Sequence, residues 1–345
     1  MRPSPIILDD TPTPSPHLLT LLQSHLPHSL PVLRRLQFAV NFSTAGGSTP
    51  HTHVLYARAQ DQDQEKNKGH FAAAYVDLSR APETQVWVYS SLERQSDNND
   101  DDNKEEEEEE EAALDLVLAI LKRIRAIAIA GAGDWSILVP LPGPPGGGSQ
   151  KRRILVGTLH ETVRQGLLAR GVRMDKAPGV PAELDWEFCG KWLFRLEDLP
   201  VSDGGGGGGG SNSLPCGMRW DRVRKGDVGV VLGRTNIKRQ EATLLMLPST
   251  VVRLDDGSPV AWAFMGLDGT IITLHVEEPY RRLGIAKALA CKLMLEHLPE
   301  YGDDGWGAAD VFVENHKSQA MCRSIGGKLS WTLSWIDISS VGDPI

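Results

Sequence analysis

Hydrophobic residues recur with two different periods along the chain, and the two periods predict both strands and helices. In residues 85–90 two valines alternate with Trp87 and Tyr89, which is typical of a strand. Residues 112–130 instead carry apolar side chains at helical spacing, namely Leu114, Val117, Leu121, Ile124 and Ile127. We therefore expect an α/β protein with a mixed sheet, rather than an all-helical or all-strand one.

The last third of the chain shows a regular order of predicted elements. A hairpin is predicted around the turn signal Asp255-Asp256-Gly257, because apolar strand-like runs flank it. The elements that follow are a strand at 270–276, a helix at 285–297, a strand at 310–314, a helix at 318–325 and a strand at 329–336. In that last strand we expect one shared face for Leu329, Trp331, Leu333 and Trp335.

Low-complexity segments divide the chain. Residues 96–111 form an acidic insertion, and residues 204–210 are seven consecutive glycines, which behave as flexible coil. We place the domain boundary at the glycines. The prediction is an N-terminal domain at 1–200, a linker at 201–214 and a C-terminal domain at 215–345.

Charge and cysteine content narrow the class of protein. Of the net charge of −9, residues 97–111 contribute −10, from four Asp, seven Glu and one Lys, so the rest is close to neutral. We therefore expect neither a nucleic acid nor a membrane as partner. The four cysteines form no CxxC pair, which argues against a zinc ribbon, and the N-terminus lacks a secretory pattern. We expect a cytoplasmic protein, with the mitochondrion left open, and a monomer is plausible.

The segment that carries chemistry lies between a predicted strand and a predicted helix. The strand ends near Val276, a basic loop with Arg281, Arg282 and Gly284 follows, and the helix begins near Ile285. Free backbone N–H groups and the helix dipole converge at such a helix start. The segment therefore predicts an anion site that suits a pyrophosphate.

This loop resembles a known family. Arg281-x-x-Gly284-x-Ala286 is similar to the Q/R-x-x-G-x-G/A loop of the GNAT acyltransferases, and it lies between a strand and a helix as that loop does. A second strand and helix of the same kind follow, with Val311, Val313, Asn315, Ser318 and Ile325-Gly326. The runs Gly257-x-Pro259-Val260-Ala261-Trp262 and Pro279-Tyr280-Arg281 look like the glycine N-acyltransferase-like branch. The likeness is good over 215–338, and it implies a degenerate GNAT-like N-terminal half.

The resemblance implies that acetyl-CoA or another acyl-CoA is the co-substrate. No metal is expected, because Arg164 stands where a zinc motif starting at His160-Glu161 needs its second His, and His51-x-His53 alone is too weak a signal. A backbone N–H near His275 or Val276 would polarise the thioester carbonyl and stabilise the oxyanion. The residues implied in acyl-CoA binding are Leu274, His275, Val276, Arg281, Arg282, Leu283, Gly284, Ile285, Ala286, Asn315 and Ser318.

Two positions depart from the family pattern. By spacing, Thr270 stands where the family has its glutamate base, and Cys322 stands where it has its tyrosine acid. Thr cannot act as a base near neutral pH. We therefore take His275 and Cys322 as the catalytic candidates, with Asp268 and Glu277 as substitute bases.

The functional hypothesis is an N-acyltransferase that acts on a small amine or amino acid by direct attack in a ternary complex. Two alternatives stay open. The missing Glu and Tyr suit a non-catalytic acyl-CoA-binding or interaction module, and nothing in the sequence excludes a protein or peptide amine as acceptor. A Rossmann domain is disfavoured, because Gly131-Ala-Gly133 lacks the third glycine.

Overall fold

The structure is a computed structural model that describes residues 5–60, 69–97, 104–131, 153–176, 188–200, 214–237 and 239–339. The chain divides into two compact units. The first consists of Met1–Ser43, Gly47–Glu187 and Leu333–Ile345, and the second of Thr44–Gly46 and Phe188–Thr332. The predicted linker lies outside the described residues, apart from Leu214.

The first unit is a mixed sheet with helices. Its strands are β1 (Ile6–Thr11), β2 (Thr52–Ala59), β3 (Phe71–Asp77), β4 (Val86–Ser90), β5 (Arg153–His160) and β6 (Met174–Lys176). Its helices are α1 (Pro16–Ser24), α2 (Leu30–Asn41), α3 (Lys104–Ala130) and α4 (Glu161–Ala169). Strands β1 to β4 are successive antiparallel neighbours, whereas β4 and β5 pair in parallel.

Helix α3 forms much of the core of this unit. Its apolar face, which includes Val117, Ile120 and Ile124, is fully buried in one cluster with Ala72 and Ala74 of β3. Burial of each such aliphatic side chain contributes about 1.5–3 kcal/mol before the entropy cost of folding. The helix begins at Lys104, so the glutamates at the end of the predicted acidic insertion belong to its first turns.

The second unit repeats this arrangement. Its strands are β7 (Phe188–Arg195), β8 (Met218–Asp221), β9 (Ser249–Leu254), β10 (Pro259–Met265), β11 (Thr270–Val276) and β12 (Trp306–Phe312). Its helices are α5 (Val228–Leu232), α6 (Glu241–Met246), α7 (Ile285–His297) and α8 (His316–Ser324). The sheet order is β7-β12-β11-β10-β9-β8, and only β11 and β12 pair in parallel among these described strands.

Helix α7 covers one face of the second sheet. Ile285 and Leu289 are buried in a cluster with Val252 and Ala261 of the neighbouring strands. Gly307 also faces this helix, since a Cβ there would meet the Met294 sulfur at 2.7 Å. Side chains on the opposite face of β12 therefore point away from α7.

One strand of each unit comes from an unexpected part of the chain. Strand β13 (Lys328–Ser339) pairs from Leu333 onward with β5 and β6 of the first unit. Strand β7 precedes the other strands of the second unit and pairs there with β12. The unit division thus places β7 in the second unit and the end of β13 in the first.

Candidate functional site

The parallel pairing of β11 and β12 is short. It joins Thr270 to Ala308 and Ile271 to Ala309, and no further parallel pair of these strands occurs among the described residues. On its other edge β11 stays paired with β10 as far as Val276. From residue 272 onward, β11 therefore turns backbone N–H and C=O groups toward the opening between the two strands. We call this opening the splay.

A bulge accompanies the splay. The register of β10 against β11 shifts between Trp262 and Phe264, and Thr273 on β11 has a φ of 54°. A bulge bends and twists the strand that carries it. The end of β11 thus presents backbone groups on which an extended pantetheine arm can form hydrogen bonds.

The loop after β11 leads directly into helix α7. Gly284 is the N-cap with φ 80°, and a Cβ at this position would have no heavy atom within 4 Å. The first helical hydrogen bond runs from Ala288 N to Gly284 O at 3.1 Å. The preceding amides have no acceptor within the helix, and the first turn carries no acidic residue. This geometry fits an anion with several oxygens, such as a pyrophosphate.

The predicted acyl-CoA residues fall into two groups. Leu274, Val276 and Ile285 direct their side chains into the α7-side core, so only their backbones remain for a ligand. The exposed ones are Arg281, Arg282, Leu283 and Gly284, with Ala286 half-buried behind them. The structure thus brings together the whole 274–286 segment at one strand end.

Asn315 and Ser318 lie at the start of α8. The Asn315 side-chain oxygen accepts a hydrogen bond from Ser318 N at 3.1 Å, so Asn315 is the N-cap of this helix. That bond explains the asparagine by local helix capping. A contact of either residue with acyl-CoA stays a prediction.

His275 lies on the sheet face away from α7. Its ring stacks on Trp262 with centroids 4.8 Å apart, and its Nε2 lies 3.8 Å from Glu277 Oε2. Burial lowers the pKa of His275, and the pull of Glu277 in the other direction does not restore it. The imidazole is therefore neutral near pH 7, as a base must be. Glu277 is itself held by Arg234 at 2.9 Å.

Cys322 is fully buried in α8. Burial raises the pKa of its thiol to about 12. The thiol therefore keeps its proton at neutral pH and gives it up less readily than an exposed cysteine does. Its role as the acid stays a prediction.

Thr270 is tied to a neighbouring carboxylate. Its hydroxyl donates to Asp268 Oδ1 at 2.6 Å, and its backbone N–H donates to the same oxygen at 3.2 Å. The position that the resemblance assigns to a glutamate base is thus occupied by a hydrogen-bond donor, with a buried carboxylate beside it.

Sequence reasoning missed a buried ion pair on this sheet. Lys191 of β7 lies opposite Asp310 of β12 in the strand register, with Nζ 2.6 Å from Oδ1. Asp310 is the single charged residue of β12, and Lys191 lies among apolar residues of β7, but the pattern of one strand does not reveal which strand pairs with it.

The first unit has the same strand pattern but different chemistry at its strand end. Strands β4 and β5 are parallel only from Val86↔Val156 to Trp87↔Gly157. After β4, however, the Glu93 carboxylate accepts a hydrogen bond from Ser90 N at 3.0 Å. No glycine occurs between that strand and α3, and the helix begins with seven glutamates in its first eight residues. From this acidic sequence we expect a pyrophosphate to be disfavoured at the strand end of the first unit.

Two further findings concern metal binding and membrane-spanning helices. No group of three or more His, Cys, Asp or Glu side chains in the described part of the chain could hold a metal ion. None of the helices that the structure describes is long and apolar enough to cross a membrane.

Comparison with family models assigns both halves. Residues 4–183 match the acyl-CoA N-acyltransferase verG N-terminal domain, and residues 233–326 match the acetyltransferase (GNAT) family. The chain therefore belongs to the GNAT superfamily of acyl-CoA N-acyltransferases, whose co-substrate is an acyl-CoA. Its first half is of the verG N-terminal type. The predicted fold, with two GNAT-like halves, is confirmed.

A solved structure shares the fold over almost the whole chain, and others match it at lower TM-scores. An X-ray structure of a Drosophila protein matches with a TM-score of 0.56 and 15% identity, over 97% of this chain and 99% of that one. A tandem GNAT protein from the clavulanic acid biosynthesis pathway matches with a TM-score of 0.45 and 9% identity, over 99% and 100%. A GCN5-related N-acetyltransferase from Sphaerobacter thermophilus matches with a TM-score of 0.45 and 12% identity, over 98% of this chain and 97% of that one. No curated protein matches the sequence.

Proposed function

We propose that the second unit transfers an acyl group, with acetyl as the first choice, from acyl-CoA to the amine of a small molecule or amino acid. The observation that carries the proposal is the splay of β11 and β12 directly before a glycine-capped helix start. The splay offers backbone groups to the pantetheine arm, and the helix start offers amides and two arginines to the diphosphate.

The chemistry requires little beyond positioning. The exposed backbone edge of β11 near His275 donates to the thioester oxygen and stabilises the oxyanion as it forms. The acceptor amine attacks the same carbonyl carbon from the sheet face away from α7, where His275 and Thr270 lie. A direct transfer of this kind needs both substrates bound at once.

Incubation with acetyl-CoA and a panel of primary amines, including glycine and other amino acids, tests the proposal. We expect release of free CoA thiol well above the amine-free blank with at least one amine. The assay is repeated with short-, medium- and long-chain acyl-CoA. If no combination releases CoA above the blank, the result counts against the enzyme.

We propose the cytoplasm as its location, which a fluorescent fusion would check.

A second function is favoured by one observation. Thr270 and Cys322, at the positions expected for base and acid, are a hydroxyl donor and a fully buried thiol. A non-catalytic acyl-CoA-binding module would tolerate both. Calorimetry separates the two proposals, since binding of acetyl-CoA without turnover on amines and on peptides with a free N-terminus supports the module.

A further inference from the structure

The buried pair of Asp310 and Lys191 lies at the mouth of the splay. The last parallel pair joins Ile271 to Ala309, so Asp310 is the first residue of β12 beyond it. The Asp310 side chain is 7% exposed and that of Lys191 is 0% exposed. The carboxylate therefore borders the opening that acyl-CoA would enter, from the strand opposite β11.

The pair also lies on the sheet face from which the amine would attack. Ala308 is the register partner of Thr270, and side chains two apart on a strand share a face, so Asp310 lies on the Thr270 face. Gly307, one residue before Ala308, faces α7. Asp310 thus points away from α7, on the face that also carries His275.

The surroundings of Asp310 suit a base. Burial raises the pKa of this carboxyl to about 6, the ammonium of Lys191 acts against that rise, and the nearby Asp268 adds to it. Lys191 and Asp268 are the charged groups that face it. Lys191 Nζ, 2.6 Å from Oδ1, is the donor within reach, and no other described residue donates a hydrogen bond to either Asp310 oxygen. A carboxylate with few donors in low dielectric binds a proton more strongly than an exposed one.

We propose that Asp310 accepts the proton of the acceptor ammonium group and that Lys191 is its positioning residue. This inference rests on the proposed function. One proton passes from the ammonium to the Asp310 carboxylate, which frees the nitrogen lone pair. The nitrogen forms the C–N bond at the thioester carbonyl, and the C–S bond breaks. The departing sulfur takes the second nitrogen proton, and Asp310 returns its own proton to solvent.

A cycle of variants separates this role from a purely structural ion pair. The set is Asp310→Asn, Lys191→Met and the double variant, which removes both charges and so avoids an unpaired buried charge. Turnover with the best amine of the panel, thermal stability and acetyl-CoA affinity are measured for each. Asp310→Glu is added as a conservative variant.

If Asp310 is the proton acceptor, Asp310→Asn lowers kcat about 100-fold or more and leaves acetyl-CoA affinity within about 3-fold of the wild-type value. The double variant regains thermal stability but not kcat. Asp310→Glu recovers part of kcat. In the wild-type protein kcat falls as the pH drops through about 6. Lys191→Met moves that fall to higher pH, because the carboxylate loses its cation.

A kcat of the double variant within about 3-fold of wild type overturns the inference. So does a Lys191→Met variant in which kcat falls at the same acidic pH as in the wild-type protein. If the wild-type protein does not bind acetyl-CoA at all, the proposed function itself fails. Where no amine is turned over, a crystal with acetyl-CoA decides. A thioester carbon within about 6 Å of the carboxylate, the reach of one bridging water, supports the inference, and one beyond about 10 Å overturns it.

Discussion

Arg281 donates its Nε–H to the carbonyl oxygen of Val276 at 2.9 Å, which ties the basic loop back to the end of the strand before it. Arg282 takes a left-handed φ of 67°. No hydrogen bond links the Arg282 guanidinium to another residue in the part of the chain that the structure describes. We therefore expect the two arginines to act differently: Arg281 orders the loop, and Arg282 contributes its charge to acyl-CoA binding.

We expect Arg281→Ala to weaken acetyl-CoA binding more than Arg282→Ala does. Arg282→Ala removes one charged contact, which is worth about 1.5–3 kcal/mol or roughly 10–100-fold in affinity. Arg281→Ala removes a charge and also the tie to Val276. Calorimetry with acetyl-CoA measures both, and equal losses in the two variants would contradict the distinction.

Gly284→Ala tests the helix start. Gly284 has φ 80° and open space at the Cβ position, so alanine brings backbone strain of about 1–2 kcal/mol but no clash. We expect acetyl-CoA affinity to fall, because the new methyl group stands where the diphosphate approaches. Gly257→Ala is the matched control, since Gly257 also has positive φ (90°) and open space but lies in a hairpin turn. Similar affinities in the two variants would argue against a ligand at Gly284.

Asp337 of β13 makes stability depend on pH. Burial raises the pKa of this carboxyl to about 6, although Arg153 acts against the rise. Its stabilising contribution is present below the unfolded value of 3.8 and is lost as the pH rises through about 6. Asp337→Asn should therefore gain stability over wild type between pH 4 and 7, by up to about 3 kcal/mol.

Thermal melts at pH 4, 5, 6 and 7 measure this gain. Asp175→Asn is the control, because Asp175 faces the same Arg153 but its side chain is 67% exposed. A stability difference between Asp337→Asn and wild type that does not grow with pH would show that this carboxyl is not held protonated by burial.

Arg253 should be a large contributor to the stability of the second unit. Its buried guanidinium donates to Asp221 at 2.6 Å and to both oxygens of Asp227 at 3.0 and 2.5 Å. Burial alone would raise the pKa of Asp227, but the hydrogen bonds from Arg253 and from the Arg224 N–H outweigh it and hold that pKa below its usual value.

We expect Arg253→Met to destabilise the protein by about 3–5 kcal/mol, because it leaves Asp227 buried without its cation. Arg253→Lys should lose nearly as much, since an ammonium cannot form the fork to both oxygens. Urea unfolding measures both variants. A loss below about 1 kcal/mol in Arg253→Met would mean that the pair is dispensable.

The sequence predicted the elements that carry local signals. The hairpin at Asp255-Asp256-Gly257, the strand at 270–276 and the helix from Ile285 to His297 all appear as expected, because turn residues and apolar periods are local. The sequence also predicts helices at 223–232 and 238–247, and the structure has the shorter helices Val228–Leu232 and Glu241–Met246 there. Helix α2 was missed.

What the sequence could not reveal is which strands meet. The apolar alternation at 329–336 marks β13 as a strand but does not say which sheet accepts it, and β7 was not predicted. The face expected to be shared by Leu329, Trp331, Leu333 and Trp335 is not buried along its whole length, since Leu329 is 59% exposed, and the register against β5 shifts between Ser334 and Ile336. The Lys191–Asp310 pair depends on that long-range pairing and so was invisible.

The most direct test is a calorimetric titration of acetyl-CoA into the wild-type protein and into Arg281→Glu/Arg282→Glu. We predict one site per chain, because the first unit places Glu93 at its strand end, and a loss of binding of at least 100-fold in the double variant. Reversal of two exposed cations elsewhere, Lys225 and Arg195, should leave affinity within about 3-fold. Two equivalent sites, or unchanged affinity in Arg281→Glu/Arg282→Glu, would contradict an acyl-CoA site at the start of α7.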